Sequence, residues 1–335
     1  MSPRTRILSA TAFAAAGLLS LAACSSGSPS GAPAESDPAA SAPADGELTP
    51  ITVGILTIAP SAAVQYGVDH GIFEEHGLDV TLQEAQGGAA MLPAVSTGQI
   101  DFGVGNPLSV LVAASQGVDM RVASGYSFSL AEGEDINAVV TRVGEGVESW
   151  SDLEGKKVSV NAVNTQGDLT IKGSVEMEGG DPGAVEFIEI AFPDALAQLD
   201  SGNVDAVWIP EPFLGAALAA PDKYSVVGYP NQNALPGLPT MVTFTSGQLA
   251  EEDPELVETW RGAISDVLEQ VNADREGFGE AIASLTGMPE AAAMDLRLER
   301  LSGELDPQLL VDLSALAAKH GFVSTEPDLD TVIIP

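Results

Sequence analysis

A single cysteine, Cys24, occurs in 335 residues, so the chain makes no internal disulfide and no multi-thiolate metal site. Histidine is almost as scarce, with His70, His76 and His320 the only three. His70 and His76 lie six apart, which does not set them on one helix face at ligand spacing, so no metal site is expected. Basic side chains number 13 against 48 acidic ones, a formal charge of −35. That balance excludes nucleic acid as a partner, because neutralising phosphates takes clustered Lys and Arg. It also argues against adhesion to anionic lipid, and is read as a solubility device. Past the N-terminus no apolar run is long enough to span a bilayer. No Ser/His/Asp set, phosphate-binding Gly–Lys loop or dinucleotide fingerprint occurs, so neither an enzyme nor a cofactor is expected.

What is present begins with a targeting segment. Arg4 and Arg6 precede an apolar, Ala-rich run over residues 7–21 that is closed by small residues, the layout of a signal peptide. Leu21-Ala22-Ala23-Cys24 resembles the bacterial lipobox, in which the thiol is acylated and the bond before it is cut. Residues 1–24 are therefore read as a lipoprotein signal with Cys24 as the lipid anchor. Residues 25–47 are Ser, Gly, Ala and Pro with a few acids, and cannot bury enough surface to offset the entropy of ordering. They are read as a disordered linker holding a folded part outside the cell membrane. Removing Arg4 and Arg6 leaves 11 basic side chains against 48 acidic ones.

The remaining 288 residues suit one large domain or two modest lobes. Ile51-Thr-Val-Gly-Ile-Leu56 reads as a buried strand, residues 62–76 as a helix broken at Gly71 and Gly77, and Leu78-Asp-Val-Thr-Leu82 as a strand. A helix opens near Gly87 and ends at Gly98, and residues 100–104 form a strand. Alternating strands and helices imply a parallel α/β sheet. The pattern recurs, with strands at 157–161, 185–190 and 204–208 and helices at 165–179 and 194–200. Ala94-Val-Ser-Thr-Gly-Gln-Ile-Asp-Phe102 and Gln198-Leu-Asp-Ser-Gly-Asn-Val-Asp-Ala206 match in detail: helix end, Gly cap, tight turn, strand. Asp101 and Asp205 hold equivalent places and read as strand-start residues satisfying a turn. Residues 136–143 and 241–245 are taken as segments crossing between lobes. That divides the chain into lobe 1 (48–140 with 245–335) and lobe 2 (141–244). From Glu251 onward helices are expected, and residues 221–239 should be the least structured folded stretch.

Four stretches together carry a family resemblance: Gly71-Ile-Phe-Glu-Glu-His-Gly-Leu-Asp-Val80, Gly98-Gln-Ile-Asp-Phe-Gly-Val-Gly-Asn106, Asp152-Leu-Glu-Gly-Lys-Lys-Val158 and Val204-Asp-Ala-Val-Trp-Ile-Pro-Glu-Pro-Phe213. Across residues 51–325 the chain resembles solute-binding receptors of bacterial ABC importers of the nitrate/sulfonate/taurine type. The resemblance implies a type II periplasmic-binding-protein fold, two α/β lobes joined by two crossing strands with a ligand cleft between them. It further implies a monomer serving an ABC permease and its ATPase, with a small organic solute as ligand. Sulfonate or taurine-like, thiamine-pyrimidine-like and aromatic-acid solutes all remain open. A lipid-tethered sensor of the same fold, and an enzyme related to thiamine-pyrimidine synthase, are the alternatives.

Within that frame the expected cleft residues fall in four loops. These are Ala59, Pro60 and Ser61 after the first strand; Gly87, Gly88 and Ala89 at a helix start; Asn106; and Asn164, Thr165, Gln166 and Gly167 at a second helix start. Helix N-termini offer unpaired N–H groups and partial positive charge, which suits an acidic group without any basic side chain. Glu211, framed by Pro210 and Pro212, is expected to meet an amine or ring N–H of the ligand. Trp208 reads either as a stacking wall or as core. The scarcity of Lys and Arg argues against nitrate, which would call for a dedicated cation.

Overall fold

The computed structural model describes residues 48–335, so the signal peptide, the Cys24 anchor and the linker lie outside the described residues. The aliphatic run after Pro50 forms β1 (Thr49–Ile55), whose Val53 and Ile55 are fully buried, as in a parallel strand covered on both faces. β2 (Leu78–Glu84) and β3 (Phe102–Gly105) flank β1 in parallel. The chain continues through β4 (Met120–Phe128), β5 (Asn137–Arg142), β6 (Lys157–Val160), β7 (Glu186–Glu189), β8 (Ala206–Pro210), β9 (Tyr224–Gly228), β10 (Pro239–Ser246) and β11 (Arg300–Leu301). Two sheets result, ordered β11-β4-β10-β3-β1-β2 and β7-β6-β8-β5-β9.

Reversed, the second order aligns with the first, and β9-β5-β8-β6-β7 matches β4-β10-β3-β1-β2. The match reaches single hydrogen bonds. Gly98 and Gly202 turn from helix to strand at φ 69° and 70°. One Asp101 carboxylate oxygen accepts from Thr52 N at 2.7 Å, and one of Asp205 accepts from Lys157 N at 2.8 Å. The Asp101 carbonyl accepts from Thr245 Oγ1 at 2.7 Å, and that of Asp205 from Thr141 Oγ1 at 2.9 Å. Both aspartates are thus clamps on neighbouring strands. Because the two glycines share one left-handed geometry, Gly98→Ala and Gly202→Ala should each cost about 1 kcal/mol. Urea unfolding should give equal losses for the two variants, and a clear inequality would argue against equivalent turns.

The stretches taken as crossings belong to the sheets themselves. β5 pairs antiparallel with β8 and β9, and β10 pairs with β3 and β4. The chain passes between the sheets at residues 129–136 and 229–238 instead. Both runs are apolar because they are interior strands, not because they bridge lobes: every residue of β10 is buried. Residues 221–239 are also more ordered than expected. β9 pairs with β5, and Pro230 opens a short helix, Pro230–Ala234, at the position where its missing N–H is harmless.

The long helix Pro254–Ala273 starts at Asp253, whose carboxylate accepts from Leu256 N at 3.0 Å. It returns to the first sheet through Trp260, fully buried and stacked 4.7 Å from Phe102 and 5.6 Å from Phe73. Helices do not fill the rest of the chain, because β11 joins the edge of the first sheet beside β4.

Candidate functional site

Where the two sheets face each other, a cavity is lined from both. The first sheet's side supplies Leu56 and Ile58 after β1, Pro60, Gly105 and Asn106 after β3, and Thr240 and Met241 of β10. The second supplies Asn137 of β5, Asn161 after β6, Trp208 and Pro210 of β8, and Thr165, Gln166, Phe192 and Asn231. β1, β3, β6 and β8 all present their carboxyl ends, the ligand position expected of open α/β sheets. Among the bonds that tie the sides together, Asn161 Nδ2 donates to Gln86 O at 3.1 Å, and Gln166 Nε2 to Pro239 O at 3.2 Å.

The wall is neutral and rich in amides. Asn106 caps the helix Pro107–Ser115, its Oδ1 accepting from Ser109 N at 2.9 Å. Asn231 Oδ1 accepts from the Thr170 hydroxyl at 3.1 Å. Two polar atoms find no partner: Gln166 Oε1 and Trp208 Nε1, on residues 2% and 8% exposed. An acceptor and a donor left unpaired in a closed site are a standing cost that a ligand can relieve. The Trp208 ring lies 5.7 Å from that of Phe192 and rests on Gly167, where a Cβ would meet it at 2.6 Å. Among the described residues no Lys, Arg or His lines the cavity.

Its one ionisable side chain is Glu299. Asn137 Nδ2 donates to Oε1 at 2.9 Å and the Thr240 hydroxyl to Oε2 at 2.7 Å. Burial, then the nearby charge of Asp135, pushes its pKa up to about 8 despite those donors, so the carboxyl holds its proton at neutral pH.

Of the residues expected at the site, Pro60, Asn106, Thr165 and Gln166 line the cavity. Ala59 and Ser61 lie buried beside Pro60, and Ala59 N donates to Glu211 O at 3.3 Å. Gly87 and Gly88 are not lining residues but lie beside two of them, where a Cβ would come 2.9 Å from Asn161 Nδ2 and 3.1 Å from Asn106 Nδ2 respectively. Ala89 and Asn164 line a separate surface groove. Asn164 N donates to Asp168 at 2.8 Å as part of the capping of the helix Gln166–Met177. Gly167 does not line the cavity; it packs against the Trp208 ring. Glu211 does not line the cavity. It is 1% exposed, accepts from Gly215 N at 2.7 Å and lies 3.7 Å from Arg297 Nη1. Its side chain is taken up by the helix that follows it, and burial raises its pKa against the pull of Gly215 and Arg297. The cavity's carboxyl is Glu299, which the sequence reading did not single out; Asn137, Asn231 and Thr240 were missed with it, whereas Asn161 opens the loop 161–168 expected at the cleft and lines the cavity.

A family model described as NMT1/THI5 like matches residues 60–276. The chain belongs to this family. A binding protein of Brucella abortus is 25% identical over 267 residues, 78% of each chain. The taurine-binding periplasmic protein of Escherichia coli K12 is 26% identical over 247 residues, 72% of this chain and 74% of that protein. Among solved structures, the alkanesulfonate-binding protein SsuA of Xanthomonas axonopodis pv. citri bound to MOPS aligns with a TM-score of 0.72 at 16% identity. That alignment covers 86% of this chain and 99% of the other. The NMT1/THI5-like chain thus has the periplasmic-binding-protein fold, and these relatives are named as binding proteins.

Proposed function

We propose that this NMT1/THI5-like chain is the extracytoplasmic solute-binding component of an ABC importer. It captures one small organic solute between its two sheets and delivers it to a membrane permease served by an ATPase. The observation that carries this reading is the cavity lined from both sheets, with Gln166 Oε1 and Trp208 Nε1 buried and unpartnered in it. A solute that touches both halves favours their closed arrangement, so binding free energy becomes a conformational signal to the permease. The halves carrying the two sheets act as the lobes of that motion.

The Trp208 and Phe192 rings suit a solute with a ring or an aliphatic stem, and the amides suit its polar groups. A sulfonate or taurine-like solute, a thiamine-pyrimidine-like one and an aromatic acid fit that description better than nitrate. The residues lining the cavity include no Ser, Cys, His or Lys, which favours capture over catalysis and a site that works without a cofactor. Cys24 serves as the lipid anchor, residues 25–47 as a spacer, and the chain acts as a monomer.

Protein lacking residues 1–24 should show thermal shifts of several degrees with some members of a panel of sulfonates, amino-sulfonates, vitamin precursors and aromatic acids. Native mass spectrometry should find one solute per chain. Uniformly zero shifts, with no co-purified small molecule, would overturn the reading.

A further inference from the structure

Taking the cavity as the receptor site proposed above, we propose that Glu299 sets its charge specificity. It takes a solute bearing a protonated nitrogen, and gives up its own proton as that solute docks. Glu299 lines the cavity, its carboxyl held there by the lining residues Asn137 and Thr240, and it also lines a smaller adjoining space together with Arg297, Phe278 and Leu301. The surroundings of this floor are acidic. Asp135, fully buried on the connection from β4 to β5, faces Glu299. Arg297, the cation nearest in sequence, is engaged by Glu134 at 2.8 Å and lies 3.7 Å from Glu211. Arg300 is turned away, with its guanidinium 4.1 Å over the Phe128 ring. Tyr126 of β4 is the remaining titratable group facing Glu299, with Tyr229 beside Arg297. Glu134 and Glu211 thus engage Arg297, Asp135 adds its charge beside Glu299, and among the described residues no cation lines the wall.

Such a floor repels an anion and attracts a cation. The unpartnered Gln166 Oε1 asks for a donor, as a protonated nitrogen supplies, while Trp208 Nε1 asks for an acceptor on the same skeleton. In the empty protein Glu299 keeps its proton, because its pKa stands at about 8. An arriving ammonium or amidinium stabilises the carboxylate. The O–H bond then breaks, its electron pair stays on the carboxylate, and the proton passes to the buffer. An anionic solute would instead be held by the protonated acid, and its affinity would fall as pH rises.

Titration calorimetry with two matched pairs separates these cases: taurine against 2-hydroxyethanesulfonate, and benzylamine against benzyl alcohol. The amine of at least one pair should bind at least tenfold better than its hydroxyl partner at pH 8. Its affinity should rise about 50-fold from pH 6 to pH 8. At pH 7, enthalpies compared between phosphate and Tris buffers should report about one proton released per solute bound. Glu299→Gln should erase both the pH dependence and the proton release, with its melting curve showing that it is folded; the wild-type proton count stands without the variant. Hydroxyl members that bind as well as the amines, a flat pH profile, or affinity that falls with rising pH would overturn the assignment and leave the receptor reading standing. Silence from all four probes would also overturn it, while the receptor reading would be judged by the wider panel.

Discussion

Trp208→Ala should weaken solute capture by about 10³-fold, roughly 4 kcal/mol, and Trp208→Phe by about 10- to 100-fold. The two variants divide the residue's contribution. Alanine removes the indole face that lies near Phe192 and rests on Gly167, and with it a wall of the cavity. Phenylalanine keeps a ring there but removes Nε1–H, which has no partner in the empty protein. Deleting an unpaired buried donor relieves about 1–3 kcal/mol of desolvation, which offsets the packing lost with the smaller ring. The phenylalanine variant should therefore unfold within about 1 kcal/mol of wild type while binding worse. Calorimetry with the solute identified by native mass spectrometry, beside urea unfolding, reads both quantities. Equal affinities for wild type and Trp208→Phe would mean that Nε1 does not meet the solute.

The repeated part of the fold was the legible part. β1, β2, β3 and the helices between them follow from aliphatic runs broken by glycine, and the same grammar returns in β6, β7 and β8. β4 was not recognised because Ser124, Gly125 and Ser127 interrupt its apolar residues. Those hydroxyls are buried and paired across to β10, Ser124 with Thr243 at 2.6 Å and Ser127 with Thr240 at 2.8 Å. A polar residue satisfied by a distant strand looks, in sequence, like one facing water.

The site divides along the same line. Pro60, Asn106, Thr165 and Gln166 were readable because each follows a strand or opens a helix in a recognisable unit. Asn137 was hidden inside a strand taken as a crossing, Thr240 just ahead of the other such stretch in the part of β10 that was not read as strand, and Asn231 inside a stretch taken as irregular. Glu299 lies in Arg297-Leu-Glu-Arg-Leu301, whose charges suggest a solvated surface. Only the pairing of β11 with β4 brings its carboxyl to Asn137 and Thr240, which lie 162 and 59 residues away in the chain. Glu211 drew attention through its flanking prolines, yet the backbone N–H of Gly215 four residues on claims it. Local sequence identifies a carboxylate, whereas its partners decide whether it is available.

Folding stability should fall as pH rises from about 4.5 to 8, and Glu299→Gln should remove the Glu299 share of that fall. The folded protein holds the Glu299 proton up to about 8, whereas the unfolded chain releases it near the ordinary 4.5. Between those values the native state binds the extra proton, so each step up in pH favours unfolding. The stabilisation is complete below about 4.5 and gone above 8. At about 1.4 kcal/mol per pH unit, its upper bound is on the order of 4–5 kcal/mol, a large share of the usual 5–15 kcal/mol of net stability. Asp168, raised by burial to about 6 against backbone donors at Thr165 and Asn164, acts in the same direction between 3.8 and 6. It is a poor site to mutate, since its carboxylate caps a helix. Asp135, also raised by burial, adds to the same trend. The Glu299 share of the loss runs up to about pH 8, and urea unfolding at pH 5, 6, 7 and 8 should show the glutamine variant gaining on wild type with each step. Parallel profiles for the two proteins would mean that the carboxyl is already ionised in the empty protein. They would also remove the reason for a docking cation to displace a proton, because in that case Glu299 would have none to give.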